Sequence, residues 1–242
     1  MNNYYQIENS IVSSEVDSNS ALRFDSVLKI FQDITTAHSA HMKVDHDNLI
    51  ASSNAYWVLA KIKFKIAGDI KTGDKYTAKT WPLAPSLLMF IREYKIATPT
   101  ATVDGRSEWC VLDATTLAIR KSNTIVYPQE MAHIEEKTGV SDFIRLREEV
   151  CETDFVYNYQ TVFTDIDCNK HVNNLSYARM ALNTFTPEEF SEYSFSACEV
   201  HFVSQSYFGD IISIYKKKTQ SGVYVEGKKQ NATVFKVLFY NE

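Results

Sequence analysis

Ile62, Phe64 and Ile66 alternate with Lys61, Lys63 and Lys65. A period of two predicts an antiparallel strand with one buried face and one wet face. Upstream the period changes. Phe24, Val27, Leu28, Phe31 and Ile34, continued by Ala37, His38, His41 and Met42, recur at helical spacing over a stretch long enough for a central helix. Strand-like runs are expected at 4–16, 55–66, 75–81, 87–97, 108–113, 155–163, 197–203, 211–218, 223–230 and 233–240. Turns are expected at Gly73-Asp74 and Asp104-Gly105. A second helix is predicted near 174–184, with Asn173 or Asn174 as its N-cap. Between Tyr127 and Asp154 acidic residues dominate and Pro128 and Gly139 break the pattern, which predicts a surface connection with some helix.

The order of elements repeats. The run Glu15 to Leu22 lines up without gaps on Asp165 to Val172, a helix follows each, and each half then has a strand expected to end in a Gly-Asp turn, Gly73-Asp74 and Gly209-Asp210. Two copies of one unit are implied. The expected class is α+β: two tandem hotdog domains, each a long helix wrapped by a curved antiparallel sheet. The boundaries expected are an N-terminal domain at 1–127, a charged linker at 128–153 and a C-terminal domain at 154–242.

Composition narrows the class. At 242 residues with 45% hydrophobic content, the chain has ample material for two cores. A net charge of −5 gives no footprint for nucleic acid, and no apolar run is long enough to span a bilayer. Residues 1–9 lack the apolar segment of a secretory signal, so a cytoplasmic location is expected. The four cysteines, Cys110, Cys151, Cys168 and Cys198, are scattered without metal or redox spacing and are read as thiols. His38 and His41 have no third ligand beside them, so they are read as helix residues, and neither metal nor cofactor is expected.

The densest chemistry lies at Thr164 to Asn174. Asp167, Asn169 and His171 alternate, and extended backbone would send all three to one side. A carboxylate, an amide and an imidazole facing one space can orient a water, take its proton and polarise a carbonyl. The free amides of a following helix would suit an oxyanion. The same residues also suit a capped turn, the reading given to Asp17 and Asn19, where Ala21 stands in place of His171. One competent site is therefore expected, not two. Lys216 to Lys218 could meet an acidic partner or simply be a solvated strand end, and Arg92-Glu93 reads as a cross-strand charge pair.

With both halves read, the sequence resembles the acyl-ACP thioesterases of plants and bacteria along essentially its whole length. The specific signal is Asp-x-Asn-x-His-Val-Asn-Asn, running from Asp167 to Asn174, with weaker matches at Thr80-Trp81-Pro82, Phe90 to Tyr94, Trp109 with Asp113, and Phe202 to Asp210. The resemblance implies a thioester hydrolase of fatty acid biosynthesis that releases free fatty acid from acyl carrier protein. Its catalytic residues carry over to Asp167, Asn169, His171 and the position of Gln205. Aromatic residues of the N-terminal half are expected to line an acyl tunnel. The partner expected is acyl carrier protein loaded with a fatty acyl chain, with a second copy of the chain as the other candidate. One departure stands out: the family has Glu, often followed by Cys, where this chain has Gln205 and Ser206. Gln205 can donate and accept hydrogen bonds but cannot take a proton. Two alternatives follow, a hotdog acyl-CoA thioesterase and a weakly active or non-catalytic acyl-ACP binding module.

Overall fold

A computed structural model describes residues 4–126 and 134–242. Tyr127, Pro128 and Glu130, part of the expected charged connection, lie outside the described residues. The chain divides into two compact units, Met1–Ser141 and Asp142–Glu242.

In the first unit, β1 (Tyr5–Ser10), β2 (Ala55–Ala67), β3 (Lys75–Pro82), β4 (Phe90–Ala97) and β5 (Thr102–Asp113) form an antiparallel sheet in the order β1-β3-β4-β5-β2. Helix α1 (Phe24–His41) lies against it. The helical stripe read from the sequence is the buried one: Phe24, Val27, Leu28, Phe31, Ile34 and His38 all face inward. Phe31 stacks on Tyr94 at 4.3 Å, and Phe24 meets Phe64 edge-on at 5.0 Å. Gly105 makes this approach possible, because a Cβ there would lie 2.3 Å from the Phe31 ring. Asp104-Gly105 is consequently not the expected turn. Both residues sit inside β5 opposite Lys65 and Phe64, and the chain reverses at Thr98–Ala101 instead. Glycine inside a strand here marks a close approach of a ring to the backbone.

The second unit repeats the plan with β6 (Phe155–Gln160), β7 (Ala197–Phe202), β8 (Ile211–Thr219), β9 (Gly222–Lys229) and β10 (Ala232–Tyr240), in the order β7-β10-β9-β8-β6. Its central helix α3 (Asn174–Leu182) has 9 residues against 18 in α1. It ends at Asn183, and Thr186-Pro187 starts a new helix α4 (Pro187–Tyr193), with the Thr186 hydroxyl capping Glu189 N–H. Phe185, Phe190, Phe195 and Phe239 pack edge to face around that break. Both halves therefore have the hotdog arrangement, a helix wrapped by an open antiparallel sheet. Helices α4 and α2 (His46–Ser53) were not read from the sequence. No helix among the described residues is long and apolar enough to cross a membrane.

The lysine face of β2 is covered at its centre, while Lys61 and Lys65 stay partly exposed. Lys63 is fully buried and its ammonium reaches Ser141 at 2.9 Å. Residues 134–141 cross this outer face: Trp81 Nε1–H donates to Glu136 O, and Thr138 donates to Glu93, which also pairs with Arg106 across the strands. In the second unit, Ile144 N–H donates to Glu199 and Leu146 packs with Tyr224 and Leu238. The expected helix in this connection is absent from 134–151; the backbone there is irregular, with a single 3-10 turn at Glu152–Asp154. The predicted Arg92-Glu93 pair also separates. Neighbouring strand residues point to opposite faces, so Glu93 meets Arg106 outside while Arg92 turns inward to His38 and Thr80.

Candidate active site

The stretch Asp167 to His171 is a tight turn, not the extended segment that alternation suggested. Asp167 N–H donates to His171 O at 2.9 Å, and Lys170, at φ 65°, turns its N–H to Asp167 O at 3.0 Å. Asp167 Oδ1 accepts Asn169 N–H at 2.8 Å and His171 N–H at 3.3 Å. One carboxylate oxygen thus holds the turn together, and Oδ2 has no hydrogen-bond partner among the described residues. The expectation failed because an Asp two residues before a free amide closes an Asx turn, a local alternative to extended backbone.

The first half builds the same object. Asp17 Oδ1 accepts Asn19 N–H at 2.8 Å and Ala21 N–H at 3.0 Å, and Ser20, at φ 62°, stands where Lys170 does. Val16–Leu22 and Ile166–Val172 form matching isolated bridges. The correspondence extends to the Gly-Asp turns. Leu22 N–H donates to Ile70 O and Val172 N–H to Ser206 O, both at 2.9 Å. Lys71 N–H donates to Asp74 and Tyr207 N–H to Asp210, both at 2.8 Å. Asp69 therefore stands where the second half has Gln205.

The second copy carries the additional chemistry. His171 is half-buried, its ring meets the Tyr207 ring edge-on at 5.2 Å, and its nitrogens make no hydrogen bond among the described residues. The Val172–Ser206 backbone bond joins the turn to the segment that carries Gln205. Asn169 and Gln205 are exposed. All four expected residues thus lie on two adjoining segments of one unit, and no hydrogen bond joins their side chains. The Ser206 hydroxyl is fully buried, turned away from solvent, and has no partner in hydrogen-bonding geometry. Buried Asp165, which sequence reading passed over, accepts from Tyr159 Oη at 3.0 Å and Val162 N–H at 2.8 Å and braces the turn from below. Its signal was the aligned Glu15, whose carboxylate accepts Val12 N–H at 3.1 Å.

Helix α3 begins as expected, with Asn173 Oδ1 accepting Leu175 N–H at 2.9 Å. Asn173 N–H is committed to Asp165 O, and Ser176 N–H to Asn173 O. The Asn174 N–H makes no hydrogen bond among the described residues. Among the cysteines, burial raises the Cys110 and Cys198 thiols, Cys198 strongly, while Cys151 and Cys168 are exposed.

Away from this site, His38 and His41 do not act together. His38 is fully buried, and its Nδ1 accepts from the Arg92 guanidinium at 2.9 Å, since arginine can only donate. Burial first, and the Arg92 charge second, hold its pKa down at about 3, so the ring is neutral. The lysine run is engaged internally: Lys216 reaches Glu189 and Thr184 O at 2.8 Å, and Lys217 reaches Glu149 O at 2.7 Å.

Comparison with known proteins places the whole chain. The acyl-ACP thioesterase N-terminal domain model matches residues 2–126, and the C-terminal domain model matches residues 148–238. Among solved structures, an acyl-ACP thioesterase from Bacteroides thetaiotaomicron aligns with a TM-score of 0.88 at 20% identity, over 100% of this chain and 98% of that one. The 12:0-ACP thioesterase from Umbellularia californica aligns with a TM-score of 0.85 at 15% identity, over 99% and 97%. These two likenesses carry the fold. No curated protein sequence matches significantly. The family models span both hotdog halves in order, and the chain belongs to the acyl-ACP thioesterase family of thioester hydrolases.

Proposed function

We propose that this chain releases free fatty acid from acyl carrier protein by direct attack of water on the thioester, at the turn Asp167 to His171. The observation that carries the reading is His171: a half-buried imidazole with unengaged nitrogens, added to a turn that the other half builds with Ala21. Neutral His171 takes a proton from water as the water oxygen bonds to the carbonyl carbon. Asn174 N–H receives the oxyanion. Collapse breaks the carbon–sulfur bond, and imidazolium returns the proton to the leaving thiolate. Asp167 Oδ2 stabilises the transient imidazolium, Asn169 holds the carbonyl, and Gln205 orients the water without accepting its proton. General acid–base assistance is worth typically about 10²–10⁴-fold, so a Gln in place of Glu slows the reaction without ending it.

Gln205 also motivates the second reading, a module that binds acyl-ACP without turnover. Hydrolysis rates on carrier-bound and CoA-bound chains of graded length separate the possibilities. Faster release from acyl-ACP supports the proposal. Preference for acyl-CoA reassigns the substrate, and tight binding of acyl-ACP without hydrolysis establishes the binding module.

A further inference from the structure

Because the two halves build the same turn with the same backbone bonds, whatever one has and the other lacks is not needed to fold it. Two buried positions differ in polarity. Tyr177 stands four residues past the N-cap Asn173, as Val27 stands four past the N-cap Arg23. Ser206, whose carbonyl receives Val172 N–H, corresponds to Ile70, whose carbonyl receives Leu22 N–H. Val27 and Ile70 are 0% and 2% exposed, Tyr177 and Ser206 2% and 0%. Burying a phenol and a hydroxyl costs free energy unless they are fully paired, and the pairing here is incomplete. Ser206 N–H donates to Tyr177 Oη at 3.0 Å, while Ser206 Oγ has no partner in hydrogen-bonding geometry. The first half shows that this fold accepts an apolar pair at the same places. The costlier pair occurs only in the half that carries His171.

We infer that Tyr177 and Ser206 are positioning residues for the hydrolysis: Tyr177 Oη, by accepting Ser206 N–H, sets where the Gln205–Tyr207 segment stands against the His171 turn. The inference rests on the site proposed above. Its geometry runs through three consecutive contacts. Tyr177 is fixed on α3, its ring packed on Phe235 at 5.3 Å and Phe202 at 6.2 Å, so its oxygen is held by a rigid element. Ser206, tethered to that oxygen through its N–H, receives Val172 N–H on its carbonyl. The residue after it, Tyr207, meets the His171 ring edge-on, and the residue before it is Gln205. Moving Ser206 therefore moves the neighbour of the imidazole and the amide that orients the water together. The phenol is also within electrostatic reach of the turn. Burial raises its pKa, and the carboxylates of Asp210 and Asp167 raise it further. Ser206 opposes this through both its backbone and its side chain, so Oγ is near the phenol although not in bonding geometry.

Tyr177→Phe removes the oxygen and leaves the ring packing, and it is the test. Displacement of reacting groups by about 1 Å can cost roughly 100-fold, so kcat on acyl-ACP should fall by about 10- to 100-fold. KM should stay near that of the parent, and Tm should fall by a few degrees, the cost of leaving the buried Ser206 N–H without its acceptor. The double variant Tyr177→Val with Ser206→Ile, which writes in the residues of the first half, should fold and show the same loss of kcat. A Tyr177→Phe enzyme that turns over within about twofold of the parent overturns the inference, as does a loss of kcat that merely tracks the fraction of protein unfolded at the assay temperature. If the parent itself does not hydrolyse acyl-ACP, the proposed function fails instead. The positioning is then read by NMR from the His171 ring, whose resonances should shift in Tyr177→Phe. An unchanged ring overturns the inference.

Discussion

Asp167 serves the turn with one oxygen and is assigned to the chemistry with the other, and Asp17 provides the control that separates the two. Asp17→Ala removes the acceptor of two amide bonds, at 2.8 and 3.0 Å, and Asp167→Ala removes the acceptor of two at 2.8 and 3.3 Å. Losing a side-chain acceptor of this kind, as at helix caps, costs about 0.5–2 kcal/mol. The longer His171 bond puts Asp167 at or below Asp17. For a chain of this size each 1 kcal/mol lowers Tm by about 2–4 °C, so both variants should melt a few degrees below the parent. That destabilisation leaves nearly all molecules folded at assay temperature. Thermal melts and acyl-ACP hydrolysis measured on the same preparations then give the answer. Asp17→Ala should keep kcat/KM within about twofold of the parent, and Asp167→Ala should lose about 100-fold or more. If both variants lose activity equally, the turn matters only for folding and the role given to the Asp167 carboxylate is wrong.

Gln205→Glu supplies the proton acceptor that this chain lacks, so it should raise kcat on acyl-ACP by about tenfold or more, seen in steady-state kinetics; no rise would remove Gln205 from the site. The neutral, buried His38 makes stability pH-dependent. With its folded pKa at about 3 and an unfolded imidazole near 6.5, the unfolded chain takes the proton first as pH falls. The protein should lose stability from about pH 6.5 down towards pH 3, by up to on the order of 4 kcal/mol, and urea midpoints should fall less steeply over this window in His38→Gln. Equal slopes would refute the assignment. Gly105→Ala drives a Cβ to 2.3 Å from the Phe31 ring, and overpacking of this kind costs about 1–3 kcal/mol or more, checked by chemical denaturation.

Much of the fold was legible because periodicity survives wherever one face packs on a core. The α1 stripe from Phe24 to His38 is buried as its spacing required, and the strand starting at Ala55 pairs along its whole predicted length. What periodicity misses is cover by segments that have none. The Lys61–Lys65 face looked solvated because the strap at 134–141 carries no repeat to announce that it buries Lys63. Gly105 resembled a turn because its reason for being there, the Phe31 ring, lies on another element. At the site, the turn was readable from the internal repeat, which outranked the alternation that suggested extended backbone. The Tyr177–Ser206 contact was invisible, since it joins residues far apart in sequence and shows itself only when the halves are compared in space.

Hydrolysis of acyl-ACP by the parent and by His171→Ala tests the central claim most directly. Free fatty acid should be released by the parent, and the variant, folded with an unchanged Tm because Ala21 fills the same place in the first turn, should be slower by about 10²–10⁴-fold. A His171→Ala protein that hydrolyses acyl-ACP as fast as the parent would contradict the account.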